Sequence, residues 1–491
     1  MEQIKDTSVL QRRRAGILLH LTSLPNANLG QDAFRFIEFL AACGLSVWQV
    51  LPIGPTHADG SPYQCLSAHA GNPLLIDWQW LAERGWLTPE QVEKGNREAL
   101  LNSAYAAFRA DEGGKLAEEF KKFVLFHAYW LEDYALFTVL KRCFNDRPWW
   151  EWPLKYRHCN AESLARIRLK FVGEIDRVRF EQFLFFQQWK ELRCYAHKLG
   201  VLLFGDMPIF VAADSADVWA RRQYFRLDRQ GLPTVVAGVP PDHFSPTGQR
   251  WGNPSYAWEA MERDGFSWWI ERMHTQLELF DWIRIDHFRG FEACWEIPAA
   301  CETAVHGRWV GVPGEALLKT IQAKFGRLPL VAENLGFITP QVEALRKKFG
   351  LPGMLILQFA FDGGAGNPYL PHNHTADNVV YTGTHDNDTT LAWFQSLDAS
   401  RQAYVYEYLG RPKEAMPWAL MRAAFASVAT VAIVPMQDVL GLGAGHRMNT
   451  PGTACGNWRW RFCWEQLRPE HGERIQRWVQ LYGRHNGQVN R

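Results

Sequence analysis

Short apolar runs separated by stretches of helical periodicity recur along most of the chain, the alternation that parallel strands joined by helical crossovers produce. Ala15 to Leu21, Ser46 to Leu51 and Val201 to Phe204 read as the first three strands. Trp282 to Ile285, Leu330 to Ala332, Met354 to Phe359, Val379 to Thr382 and Thr430 to Val434 bring the series to eight. Helix ends between them are legible: Thr339 suits an N-cap, Pro340 the first helical position, and Gly350 the left-handed residue after the last turn. About residues 60 to 190, between strands two and three, break the rhythm. There Leu116, Phe120, Phe123 and Val124 fall at helical spacing and Phe180 to Leu199 continues as helix, so a helical insertion subdomain is expected. The pattern predicts an α/β fold, a (β/α)8 TIM barrel with helical insertions between barrel strands, as a single barrel over residues 1–491. An open doubly wound sheet has the same alternation and strand count does not prove closure, but no Gly-x-Gly-x-x-Gly or P-loop follows any strand.

Composition narrows the partners. With 47% hydrophobic residues, 21% charged and no low-complexity tract, the chain can bury a large core. The formal charge is +1 and the basic cluster Arg12 to Arg14 is short, so neither nucleic acid nor a membrane surface is expected as partner. Nine scattered cysteines without a Cys-x-x-Cys pair, and a polar Met1 to Ser8 without an apolar signal core, lead us to expect a reduced, cytoplasmic protein. The 23 tryptophans supply core volume and also the flat faces on which sugar rings stack.

In such barrels chemistry sits at the C-terminal ends of the strands, and four carboxylates fall there: Asp206, Asp286, Glu333 and Asp386. A single acid in such a loop is more often a helix cap, but four at strand ends are harder to assign to capping. Strand alternation aims Arg284 and Asp286 to one side, an arrangement that suits a nucleophilic carboxylate. Glu333 follows an apolar strand with no cation adjacent in sequence, which suits a general acid, although a structural ion pair perturbs a carboxyl equally well. Retaining glycoside chemistry needs two such carboxyls about 5 to 5.5 Å apart. SPYQ at Ser61 to Gln64, AGNP at Ala70 to Pro73 and GQRWGNP at Gly248 to Pro254 offer aromatic faces and amides for an uncharged polyol, and each also reads as simple turn punctuation.

The motif RIDHFRGF, a strand-end glutamate in VAENLG and then YTGTHDNDTT closely resemble the amylomaltase family of 4-α-glucanotransferases, or disproportionating enzymes, in the α-amylase clan. LLHLTSLP, VWQVLPIGPT, GDMPIFVAADSADVWA and RMNTPGTACGNWRWR extend the likeness almost end to end. The resemblance implies transfer of an α-1,4-glucan segment to the 4-hydroxyl of an acceptor by a retaining double displacement. Asp286 would then be nucleophile, Glu333 acid/base and Asp386 transition-state stabiliser. Asp206, Arg284, His287 and His385 would line the donor subsite, and Tyr63 and Trp251 would lie near the cleavage and acceptor subsites; Asn387, which flanks Asp386, is also expected to bind substrate. Residues of about 230 to 260, with Pro240 to Gly248 at their centre, would form a loop covering the glucan. Maltodextrin, or α-glucan derived from starch or glycogen, is the implied donor and glucose or maltose the acceptor, with no cofactor and no metal. Asn334 departs from the Asp more usual after the acid/base, which bears on the pKa of Glu333; Cys65 and His69 depart near SPYQ. Three rivals stand beside this reading: a glucan hydrolase using the same carboxylates, a metal-dependent barrel hydrolase, and a maltodextrin-binding protein.

Overall fold

The computed structural model describes residues 10–110, 114–242 and 245–485. The expectation for Met1 to Ser8 and the centre of the Pro240 to Gly248 stretch lie outside the described residues. Eight strands follow one another: β1 Arg14–Leu18, β2 Val47–Gln49, β3 Leu202–Pro208, β4 Trp282–Asp286, β5 Leu330–Ala332, β6 Gly353–Ile356, β7 Asn378–Tyr381 and β8 Val431–Pro435. All pair in parallel, in the spatial order β6, β7, β8, β1, β2, β3, β4, β5. The two end strands then meet: Ala332 N–H donates to Pro352 O at 2.8 Å, and Met354 N–H donates to the side-chain oxygen of Asn334 at 2.8 Å. This seam closes the TIM barrel. Asn334 also donates to Glu343 at 2.7 Å, so its side chain belongs to the seam.

Both strand faces are buried, which is why the strands read as near-continuous apolar runs. Val47, Leu202, Phe204, Trp282, Val331 and Ile433 fill the barrel interior. Ile17, Trp48, Leu203, Ile283 and Ile285 point outward to the helices. The period of two then decides what reaches the top of the barrel: Asp206 follows Phe204, Arg284 and Asp286 follow Trp282, and Glu333 follows Val331, all on the interior parity. The helix Pro340–Lys348 has the expected ends, with Thr339 accepting from Val342 N–H and Gly350 at φ +63°.

Between β2 and β3 the insertion is helical. Its longest helix, Val172–Lys198, starts eight residues earlier than the apolar pattern at Phe180 indicated, because charged residues crowd its first turns. Buried Gln182 and Gln188 from this helix bond both the N–H and the C=O of Gly71 and of Asp77, at 2.8 to 3.0 Å. In the described part of the 230 to 260 region the chain is strand as well as loop. Val235–Val239 and Gln249–Pro254 form a hairpin in a four-stranded antiparallel sheet with Ala293–Pro298 and Arg308–Gly311. Among the described residues no helix is long and apolar enough to cross a membrane, and all nine cysteines are free thiols.

Candidate active site

Asp206 and Arg284 are direct neighbours across β3 and β4, and Pro208 pairs with Asp286. The register therefore places a guanidinium between two carboxylates. Arg284 Nη1 lies 2.6 Å from Asp206 Oδ2 and its Nη2 2.9 Å from Asp286 Oδ1. Burial alone would lower the Arg284 pKa, but Asp206 and Asp286 lift it well above the ordinary value, so the cation is permanent. Burial raises the Asp206 carboxyl and Arg284 opposes it. Tyr63 OH donates to the same Asp206 oxygen at 2.8 Å. Asp206 has no exposed side-chain surface, whereas Asp286 is 28% exposed and faces the cleft.

Glu333 is held differently. Its two oxygens accept backbone N–H groups from His287 and Leu335, each at 2.7 Å. The first of these bonds depends on His287 adopting φ 54°, a left-handed conformation costly for a residue with a Cβ. Burial pushes the Glu333 carboxyl up to about 7, the charge of Asp286 adding to it and Arg284 opposing. Glu333 has no cation beside it in sequence, yet it feels Arg284 from the neighbouring strand. The two carboxyls thus feel each other's charge in contrasting settings, one against a fixed cation and one buried, which is how acid and base roles are divided between like groups.

Asp386 lies on the turn after β7, beside His385, whose Nε2 is 3.3 Å from its Oδ1. Burial lowers the His385 pKa and takes His287, next to Arg289, to about 3, so both imidazoles are neutral hydrogen-bonding groups near pH 7. Tyr63 stacks on His385 with centroids 5.1 Å apart, and Trp251 meets His287 edge-on at 4.8 Å. Asn387 turns its side-chain oxygen back to Thr384 N–H and OH, at 2.9 and 3.0 Å, so that atom shapes the turn.

The amides of SPYQ and GQRWGNP are spent on packing, while Tyr63 and Trp251 from the same loops reach the site. Gln64 donates to Asn253 at 3.0 Å, and Asn253 to Val211 O at 2.8 Å. Gly71 of AGNP leaves no space for a side chain, since a Cβ there would stand 1.9 Å from Phe185. His69 is likewise internal, bonded to Thr275 at 2.8 Å and stacked on Trp130. Arg289 lies over Trp309 at 3.7 Å, with Glu292 as its carboxylate partner at 3.9 Å.

Three residues escaped the sequence reading. His20 shares the interior parity of Leu18, and this spacing was the available signal. Trp458, at φ 64°, brings its ring to 5.9 Å from Tyr63 and 6.0 Å from His385. Asn449 donates to Asp386 Oδ1 at 2.6 Å. Asp206 Oδ1, His20 Nδ1 and His287 Nε2 are buried without a hydrogen-bond partner in the protein. Buried polar atoms of this kind are costly unless a bound group completes them, and hydroxyls do so without bringing charge. The cation between the acids is an arginine, and among the described residues no three His, Cys, Asp or Glu side chains converge as a metal site would require.

Comparison with known proteins agrees over most of the chain. The profile of the 4-alpha-glucanotransferase family matches residues 19–466. The 4-alpha-glucanotransferase of Thermus thermophilus is 51% identical over 486 residues, which cover 94% of this chain and 97% of that protein. The structure of the amylomaltase from Streptococcus agalactiae, in complex with acarbose, superposes with a TM-score of 0.93 at 36% identity, covering 96% of this chain and 100% of that one. An amylomaltase from Corynebacterium glutamicum, 17% identical, shares the fold at a TM-score of 0.75 over 96% of this chain and 75% of its own. With the barrel, the acids at its strand ends and these matches in agreement, the chain belongs to the 4-alpha-glucanotransferase family.

Proposed function

We propose that this chain cleaves an α-1,4-glucan and passes the released segment to the 4-hydroxyl of a second glucan or of glucose, with retention. The observation that carries the reading is the contrast between Asp286, held by Arg284, and Glu333, raised to about 7 by burial. Asp286 attacks the anomeric carbon while Glu333 protonates the leaving oxygen, giving a glycosyl-enzyme ester. Glu333, now ionised, takes the proton of the acceptor hydroxyl as that hydroxyl displaces Asp286. Asp386 and the neutral His385 hold hydroxyls of the reacting ring, and Asp206 stands behind them, fixing Arg284 and Tyr63 at the donor side. Trp251, edge-on to His287, limits water at the acceptor side, which favours transfer over hydrolysis.

Maltotriose as sole substrate tests this. Glucose and a ladder of longer maltodextrins are expected, with the number of reducing ends nearly constant and new linkages α-1,4 by nuclear magnetic resonance. Reducing ends that climb in step with maltotriose loss would make the chain a hydrolase, and unchanged maltotriose would leave only binding.

A further inference from the structure

Asp386 projects into the cleft with a side chain 46% exposed, so burial alone does not fix its direction. Residues 447 to 449, 61 to 63 positions further along the chain, bracket its turn. Arg447 donates to the Asp386 carbonyl oxygen and, at 2.6 Å, to Asn449 O. Asn449 N–H donates to His385 O at 3.1 Å and its side-chain amide to Asp386 Oδ1 at 2.6 Å. Met448, between them, is buried in the barrel interior, and its carbonyl accepts from Trp458 N–H at 2.8 Å. The backbone of the bracket is therefore secured by bonds that do not involve the Asn449 side chain.

We propose that Asn449 is a positioning residue for the reaction: its amide sets the direction of the Asp386 carboxylate, so that the free oxygen meets the sugar held against Asp286. A donor at 2.6 Å from one carboxylate oxygen removes rotation about the last side-chain bond, and misplacement of such a group by about 1 Å costs on the order of 100-fold in rate. The inference rests on Asp386 acting on that sugar. Arg447 and Arg484 differ in this respect, since they bond backbone oxygens only.

The test uses the full chain, with maltotriose disproportionation followed from pH 5 to 8 and unfolding measured in parallel. Asn449→Ala keeps the backbone bond to His385 and should lower kcat roughly 10- to 100-fold, with KM within about threefold and an unfolding midpoint close to the parent's. Asn449→Asp sets a carboxyl against Asp386, and two acids so close share one proton. The charged groups that face the pair are His385 on the same turn, Arg447 on the bracket, and Arg284 and Asp286 across the cleft. When the pair holds its proton the new residue again donates to Asp386, so kcat relative to the parent should rise as pH is lowered from 8 to 5. A flat ratio across that range, or a parental kcat in Asn449→Ala, would overturn the proposal. Asp386→Asn separates the two levels: if it retains turnover, the reading of Asp386 fails; if it is inactive while Asn449→Ala is not, only the role of Asn449 fails.

Discussion

Replacing Arg284 with Met removes the cation between Asp206 and Asp286 while keeping most of the side-chain volume. Asp206, with no exposed side-chain surface, is left facing Tyr63 and the barrel interior without its counter-ion at 2.6 Å. Breaking a buried pair in this way costs about 3 to 5 kcal/mol, whereas Asp286, 28% exposed, regains water and adds little. With an unfolding entropy of about 2.1 cal/mol/K per residue over 491 residues, that loss lowers the midpoint by roughly 3 to 5 °C. The sign with pH follows from Asp206. Without Arg284 only the Tyr63 hydroxyl still opposes the burial that raises its pKa, so the deficit is largest at alkaline pH and shrinks as pH falls through the raised value and the carboxyl takes up a proton. Chemical denaturation of Arg284→Met at pH 8 and pH 5.5, with the Arg284→Met/Asp206→Asn double variant, measures this. The double variant should recover most of the stability and none of the turnover, because the orphan charge is gone but Asp286 is still unsupported. A deficit under about 1 kcal/mol at pH 8, or no recovery in the double variant, would refute the reasoning.

Three further outcomes test the division of roles. Asp286→Asn should lower kcat by several orders of magnitude with the fold unchanged, since a neutral amide lacks the charge that must become a covalent bond; activity above about a tenth of the parent's removes it as nucleophile. In the parent, kcat/KM should fall as pH rises through about 7, because Glu333 must carry a proton to act as acid. Glu333→Gln should abolish that limb, and its rate should be spared with a glucosyl fluoride, whose leaving group needs little protonation; equal losses on fluoride and glucan would make Glu333 structural.

The strands were legible because each is a buried parallel strand whose apolar run needs no partner to be recognised, and the helix at Pro340–Lys348 because Thr339 and Gly350 act within one turn. The same local rule put Asp206, Arg284, Asp286 and Glu333 at strand tops, with parity choosing the interior face. The antiparallel sheet was not legible: GQRWGNP lacks alternation and carries two glycines, and its strand is made by pairing with Val235–Val239. Asn334 shows the same limit. Beside Glu333 in sequence, it is directed by Met354 and Glu343 to the seam, because the covalent chain fixes where a residue sits but not which neighbour captures its side chain. What the sequence determined by itself was the period, the parity and the chemical type at each strand end. The tertiary structure decided which atoms meet: a guanidinium shared by two acids, a strained His287 N–H on Glu333, and an amide 63 residues away on Asp386. Such contacts depend on the relative positions of distant segments, and only the closed barrel sets those positions.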